Sequence, residues 1–212
     1  MNNTSEILKK LYIRHPELKE IRIKDANEIL LKCCLDKKKI LICGNGGSAS
    51  DSEHIVGELM KGFLLKRNLP EDEKRRFHEL KEEGVILAEK LQRGILAISL
   101  NSQTSLMTAV ANDTSYDMVF AQQVYAYGQA GDVLIAMTTS GNSKNVVNAA
   151  ITAKVLKMSV IGITGSRPGK LGDICDVCLS LPAEETYLVQ ELTLPVYHTL
   201  CAILENQLFG QQ

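Results

Sequence analysis

The stretch Ile40-Leu41-Ile42-Cys43-Gly44-Asn45-Gly46-Gly47-Ser48 decides the fold. An unbroken apolar run of this length reads as a strand buried on both faces, here Lys38 to Cys43. Small residues follow at once, and then a helix from Ser48 to Leu65 with Ile55, Val56, Leu59, Met60 and Phe63 on its apolar side. A strand that ends in glycine and serine and passes straight into a helix turns backbone N–H groups and hydroxyls toward one spot. That spot suits an anion, because the helix N-terminus carries partial positive charge. The plan recurs downstream. Val133-Leu134-Ile135-Ala136-Met137 leads into Thr138-Thr139-Ser140-Gly141-Asn142-Ser143 and a helix from Ser143 to Leu156. Two such loops suit a ligand that carries a phosphate and several hydroxyls.

Working outward, residues 5–36 read as helical, broken near His15-Pro16. Further strands are expected at Ile95 to Leu100, Asp132 to Met137, Ser159 to Thr164 and Asp176 to Leu181. Helices are expected at Thr104 to Asn112, Asp117 to Tyr127 and Glu184 to Phe209, the last interrupted or kinked at Pro195. Gly165 to Gly169 reads as a turn. Near-continuous apolar strands alternating with helices predict an α/β three-layer sandwich, a five-stranded parallel sheet covered on both faces. In such folds ligands bind outside the carboxyl ends of the strands, where both loops lie. The charged stretch 66–93, which includes Pro70-Glu71-Asp72-Glu73-Lys74-Arg75-Arg76, reads as a helical insertion. A chain of 212 residues then forms one domain, 1–212, with N-terminal helices in 1–36 and the insertion at 66–93.

The balance of 24 basic and 25 acidic residues gives a net charge of −1 and no field that favours nucleic acid or an anionic membrane. The polar start Met1-Asn2-Asn3-Thr4-Ser5-Glu6 does not read as a signal peptide, so none is expected, and no apolar run is long enough to span a bilayer. The six cysteines are therefore expected as free thiols in a reducing cytoplasm. Cys175-Asp176-Val177-Cys178 has the spacing of a redox or metal pair. In a strand, however, residues three apart point to opposite faces, so both are expected to be buried structural thiols, as are Cys33 and Cys34.

The first loop lacks the lysine of a nucleotide-binding P-loop. It matches a dinucleotide fingerprint only in part, without the acidic residue about 20 positions on. A glycine turn that merely reverses the chain is the plain alternative. His54 and Glu58 lie four apart on the helix after this loop and share a face. Alone they could be a surface pair, a structural hydrogen bond or two metal ligands. Gln190 and His198 lie on the last helix, about 12 Å apart along a straight axis. One metal reaches both only if the helix bends at Pro195 or a second subunit contributes.

Gly44-Asn45-Gly46-Gly47-Ser48, His54 with Glu58, Ala111-Asn112-Asp113, Thr139-Ser140-Gly141-Asn142-Ser143, and Gln190-Glu191 with His198 closely resemble the sugar isomerase (SIS) domain proteins, in their phosphoheptose isomerase branch. The resemblance covers roughly 38–65 and 94–209. It implies a five-stranded parallel sheet between helices and a homotetramer with active sites at subunit interfaces. Asn45, Gly46, Gly47 and Ser48 would line the sugar. Asn112 and Asp113 would bond hydroxyls. Thr138, Thr139, Ser140 and Ser143 would hold the phosphate. His54, Glu58, Gln190 and His198 match the family's zinc ligands, one ion per site, with Gln190 also in reach of substrate. Two departures stand out. The 66–93 segment is longer than in the typical isomerase. Tyr187 also occupies the place, three residues before the glutamine, where the family has an aspartate, whose task would fall to Glu184 or Glu185.

The family reaction moves a carbonyl between C1 and C2 of a phosphorylated sugar through an enediol. It requires a base near both carbons and an acid for the oxygen, and Glu58 and His198 are the candidates. Glu58 stands both as base and as zinc ligand. The implied reaction interconverts sedoheptulose 7-phosphate and D-glycero-D-manno-heptose 7-phosphate. The alternatives are another ketose phosphate as substrate, or a non-catalytic sugar-phosphate-binding regulator resembling those that bind a replication initiator. As a departure from the family length, the 66–93 segment is expected to be an arm on a neighbouring subunit, ahead of a lid or a solvated excursion.

Overall fold

The structure, a computed structural model, describes residues 4–210; positions 1–3 and 211–212 of the expected domain lie outside the described residues. Helices α1 (Thr4–Arg14) and α2 (Ile23–Leu35) open the chain. A short 3-10 turn at Pro16–Leu18 separates them, where proline has no N–H to continue α1. Five strands follow: β1 (Ile40–Gly44), β2 (Ala97–Ser99), β3 (Val133–Met137), β4 (Ser159–Thr164) and β5 (Val177–Ser180). They form one wholly parallel sheet in the order β2-β1-β3-β4-β5.

The sheet is covered on both faces because its strands are apolar on both. Ile40, Ile42, Ile135, Ile161 and Leu179 face one core with α1, α2 and α10 (Thr186–Phe209). Leu41, Cys43, Leu134, Ala136 and Val160 face the other, with α7 (Val119–Tyr127) and α8 (Lys144–Val155). Burying a leucine- or isoleucine-sized side chain is worth roughly 1.5–3 kcal/mol, so the two cores are the main source of stability. Among the described residues no helix is long and apolar enough to cross a membrane.

Several boundaries differ from the sequence reading, each for a local reason. The helix after the first loop, α3 (Gly47–Met60), stops five residues short of Leu65. Beyond it the chain bends and gives the N–H groups of Phe63, Leu64 and Leu65 to the buried carboxylate of Glu205, at 2.8, 2.7 and 3.0 Å. The stretch after Gly165 does not only turn. It forms α9 (Gly169–Ile174), which delays β5 to Val177. Cys175 therefore lies outside the strand alternation, and its sulfur and that of Cys178 come together over Gly162 rather than facing opposite ways. Helix α10 runs through Pro195 without interruption, and the Thr199 hydroxyl binds the Pro195 carbonyl at 2.7 Å.

The charged stretch forms a hairpin of α4 (Glu71–His78) and α5 (Lys81–Lys90). The two helices pack on each other and scarcely on the rest of the chain, and Leu80, Val85, Ile86 and Leu87 stay exposed. Helix α6 (Thr104–Asp113) follows β2.

Candidate functional site

The strand order sets where a site forms. The chain goes from β1 out to β2 and returns to place β3 on the other side of β1. The loops after β1 and β3 thus diverge at a switch point, the usual ligand crevice of such sheets. The register pairs Cys43 with Ala136 and Gly44 with Met137, so both loops leave the same edge side by side.

In the first loop Gly46 adopts φ 58°, ψ −121°, a conformation that side chains resist, and it starts α3. The amides of Asn45 and Asn145 bond each other reciprocally, both at 2.9 Å, and Tyr116 donates to Asn45 Oδ1 at 3.0 Å. Asn101 braces the loop from β2, donating to the Gly44 carbonyl at 2.8 Å. In the second loop the hydroxyls of Thr138 and Ser143 lie 2.9 Å apart, and Thr138 and Ser140 3.4 Å. Thr139 is half-buried beside them. Gly141 has φ 68°, and a Cβ there would strike the Pro168 carbonyl, so the loop folds only with glycine. The hydroxyls sit at the start of α8, whose first N–H groups and dipole favour an anion.

The structure brings His54, Glu58 and His198 together. Their ligand atoms all lie within 4.8 Å of one another, although His198 comes from the far end of the chain. His54 Nε2 is 3.1 Å from Glu58 Oε1, and the two histidine rings meet edge to face with centroids 5.0 Å apart. Tyr197 stands behind His54, its hydroxyl 2.9 Å from Nδ1 and donating to Asp51 Oδ1 at 3.3 Å. With the Tyr197 proton on Asp51, its oxygen accepts from Nδ1–H. Nε2 then turns a lone pair toward a carboxylate, an arrangement that a cation between them resolves. An outer partner on the far ring nitrogen is also how metal-bound histidines are usually held.

His198 Nε2 is buried without a hydrogen-bond partner. Burial, with the His54 ring beside it, pushes the His198 pKa below the ordinary histidine value, so the imidazole is neutral with a lone pair free. Two imidazoles and a carboxylate form a donor set that zinc accepts. These residues therefore fit a divalent cation of that kind.

Gln190 projects from α10 onto the first loop, and a Cβ at Gly47 would lie 2.6 Å from its Nε2. Ser48 is buried one position further on. Asn112 and Asp113 bond each other at 2.9 Å on the exposed end of α6. Tyr187 is exposed in the first turn of α10. Of its suggested substitutes, Glu184 is paired with Arg167 at 2.9 Å and Glu185 caps α10 through its backbone.

Sequence reasoning passed over four supports of the site: Asn145, Asn101, Tyr197 and the buried pair Arg67–Glu205. A lone acid in the apolar run Cys201-Ala202-Ile203-Leu204-Glu205 was the available signal for the last.

The family model described as SIS domain matches residues 5–93 and 78–165. The chain is 37% identical over 186 residues to the phosphoheptose isomerase of Aliarcobacter butzleri, covering 88% of this chain and 85% of that protein. It is 36% identical over 207 residues to the phosphoheptose isomerase of Helicobacter pylori strain 26695, covering 94% and 95%. The solved structure of a phosphoheptose isomerase from Francisella tularensis superposes with a TM-score of 0.75 at 27% identity, covering 95% of each chain.

Proposed function

The chain belongs to the SIS-domain family, in its phosphoheptose isomerase branch, and is a sugar-phosphate isomerase; we propose that it interconverts sedoheptulose 7-phosphate and D-glycero-D-manno-heptose 7-phosphate. The observation that carries this reading is the His54–Glu58–His198 cluster, with His54 and Glu58 about two and three helical turns along α3 from a hydroxyl- and N–H-rich edge suited to a phosphorylated polyol.

The second loop, Thr138 to Ser143, takes the phosphate through its hydroxyls and the start of α8. The first loop, Asn45 to Ser48, lines the sugar, and Asn112 and Asp113 bond its hydroxyls. The reactive carbons then lie over the cluster. Glu58 moves a proton between C1 and C2, and His198, neutral because it is buried, exchanges the oxygen proton. Lys61 Nζ donates to Glu58 Oε2 at 3.2 Å and orients that carboxylate. His54, Glu58, Gln190 and His198 would hold one zinc ion per site, which when bound polarises the carbonyl as a Lewis acid. Glu58 would thus both help hold the ion and act as the base of the proton transfer.

The assembly is a homotetramer with sites at subunit interfaces. The exposure of His54 on one protomer and the apolar faces left open on the α4–α5 hairpin support that reading. Incubation with sedoheptulose 7-phosphate, read out as aldose phosphate, tests the substrate. Turnover of a different ketose phosphate in its place would reassign it. A protein with no turnover and no affinity for zinc would be a binding regulator instead.

A further inference from the structure

Cys175 and Cys178 take no part in the isomerase site. Cys175 ends α9 in extended backbone, with φ −65° and ψ 145°, and Cys178 sits on β5 opposite Gly162 of β4. The missing side chain at Gly162 makes the room that both sulfurs share. A Cβ there would lie 2.5 Å from Cys175 Sγ and 3.4 Å from Cys178 Sγ. The two thiols are neighbours across that space and influence each other's titration. The Thr164 and Ser180 hydroxyls approach the same sulfur at 3.6 and 3.7 Å. Neither cysteine is sealed in the core.

The Cys175 thiol beside it and the Ser180 hydroxyl, which donates at 3.7 Å, favour the Cys178 thiolate. The neighbouring Cys175 thiol is the main cause, and despite opposing burial the Cys178 pKa falls to about 6, while the same contact raises that of Cys175. Burial drives the other thiols the opposite way, Cys33, Cys43 and Cys201 to about 12 and Cys34 to about 11. A low-pKa, accessible thiolate beside a second thiol is the arrangement that reacts with oxidants.

We propose that Cys175 and Cys178 form a dithiol–disulfide couple oxidised by hydroperoxides, with Cys178 as the attacking sulfur and Cys175 as the resolving thiol. The Cys178 thiolate attacks one oxygen of the hydroperoxide and the O–O bond breaks. This leaves a sulfenic acid on Cys178 and releases hydroxide or alkoxide, which is protonated to water or alcohol. The Cys175 sulfur then attacks the Cys178 sulfur, the S–O bond breaks, water leaves with the Cys175 proton, and the disulfide forms. Two thiols lose two electrons in all, and the peroxide gains them.

Closure reaches beyond the pair. The first turn of α9 braces the second loop, with Leu171 N donating to the Gly141 carbonyl at 3.0 Å and Lys170 N to Asn142 Oδ1 at 3.1 Å. A disulfide brings its sulfurs to about 2.05 Å. Closing it draws the other end of this six-residue helix toward β5 and loosens that brace. This second consequence rests on the reading of Thr138 to Ser143 as the phosphate cradle.

The full-length, metal-loaded protein is reduced, freed of reductant and given one equivalent of hydrogen peroxide. Remaining thiols are blocked and the peptides mapped by mass spectrometry. The expected result is a Cys175–Cys178 disulfide, reversed by dithiothreitol and formed at least about tenfold faster than oxidation at Cys33, Cys34, Cys43 or Cys201. Cys175→Ser should halt the sequence at a sulfenic acid on Cys178, trapped by dimedone, and Cys178→Ser should leave Cys175 unoxidised. No disulfide, a disulfide to another cysteine, or oxidation spread evenly over all the thiols overturns the couple. Inorganic phosphate is then titrated into both forms. Binding several-fold weaker in the oxidised form supports the coupling to the second loop, and equal binding overturns it. Absence of phosphate binding in the reduced form as well counts against the cradle, while the mapped disulfide still decides the couple.

Discussion

Arg67 and Glu205 are 138 residues apart in the chain and 2.8 Å apart in space, and they tie the helix that carries Glu58 to the helix that carries His198. Both side chains are buried, at 0% and 1% exposure. Arg67 also donates to the carbonyls of Leu59 and Glu58, at 2.6 and 3.1 Å, which finishes the otherwise unsatisfied C-terminal end of α3. Arg67→Met strands a buried carboxylate and should cost about 3–5 kcal/mol in chemical denaturation. Arg67→Met with Glu205→Gln should recover part of that loss, because no charge is then left unpaired and the amide oxygen still accepts from the segment after α3. A single variant as stable as the parent would show that the pair carries no such strain.

Glu58→Gln and His198→Ala should each lower kcat by about a hundredfold to ten-thousandfold, the usual worth of a positioned acid or base. Circular dichroism should remain that of the parent, since Glu58 and His198 are only partly buried. Near-normal turnover in either variant would remove that residue from the proton transfers.

Dialysis against a chelator should abolish isomerase activity, and added zinc should restore it. Elemental analysis of the purified protein should find close to one zinc per chain. The supporting feature is the donor set His54, Glu58 and His198, within 4.8 Å. His54→Ala should lose the metal while leaving inorganic phosphate binding at the second loop intact.

The half-buried imidazole of His198 gives the metal-free protein a definite pH dependence. Its folded pKa lies below the ordinary 6.5. Above 6.5 the ring is neutral in the folded and unfolded states alike and costs nothing. As pH falls below 6.5 the unfolded chain takes the proton first, and stability is lost until pH has passed the folded value. Denaturation midpoints measured with chelator present from pH 8 to 5 should fall on the acid side. His198→Asn should flatten that slope.

Gly141→Ala should impair both stability and phosphate binding. The added methyl meets the Pro168 carbonyl in a backbone already at φ 68°. The cost should exceed about 1 kcal/mol, and if the loop holds the ligand's phosphate, as proposed, the Michaelis constant should rise more than kcat falls.

Most of the sheet could be read from the chain because its strands are buried on both sides, so Ile40-Leu41-Ile42 or Val133 to Met137 admit no other simple reading. The two loops were legible for the same reason, as small residues between a buried strand and a helix. What escaped was long-range. Nothing local marks Asn145 as the partner of Asn45, or Tyr197 as the group that turns the His54 ring. Cys175 was misplaced because it caps α9, two residues before β5 begins, so the alternation of a strand does not govern where its side chain points. The end of α3 was misjudged because a carboxylate in α10 supplies partners that the local sequence could not reveal.

Helix α10, the last element among the described residues, packs against α1, α2 and α3, which are among the first. His198 on α10 meets His54 and Glu58 on α3 only when α10 closes the core it shares with α1 and α2. The cluster and that core therefore form in one event, and a molecule whose two ends are apart has neither.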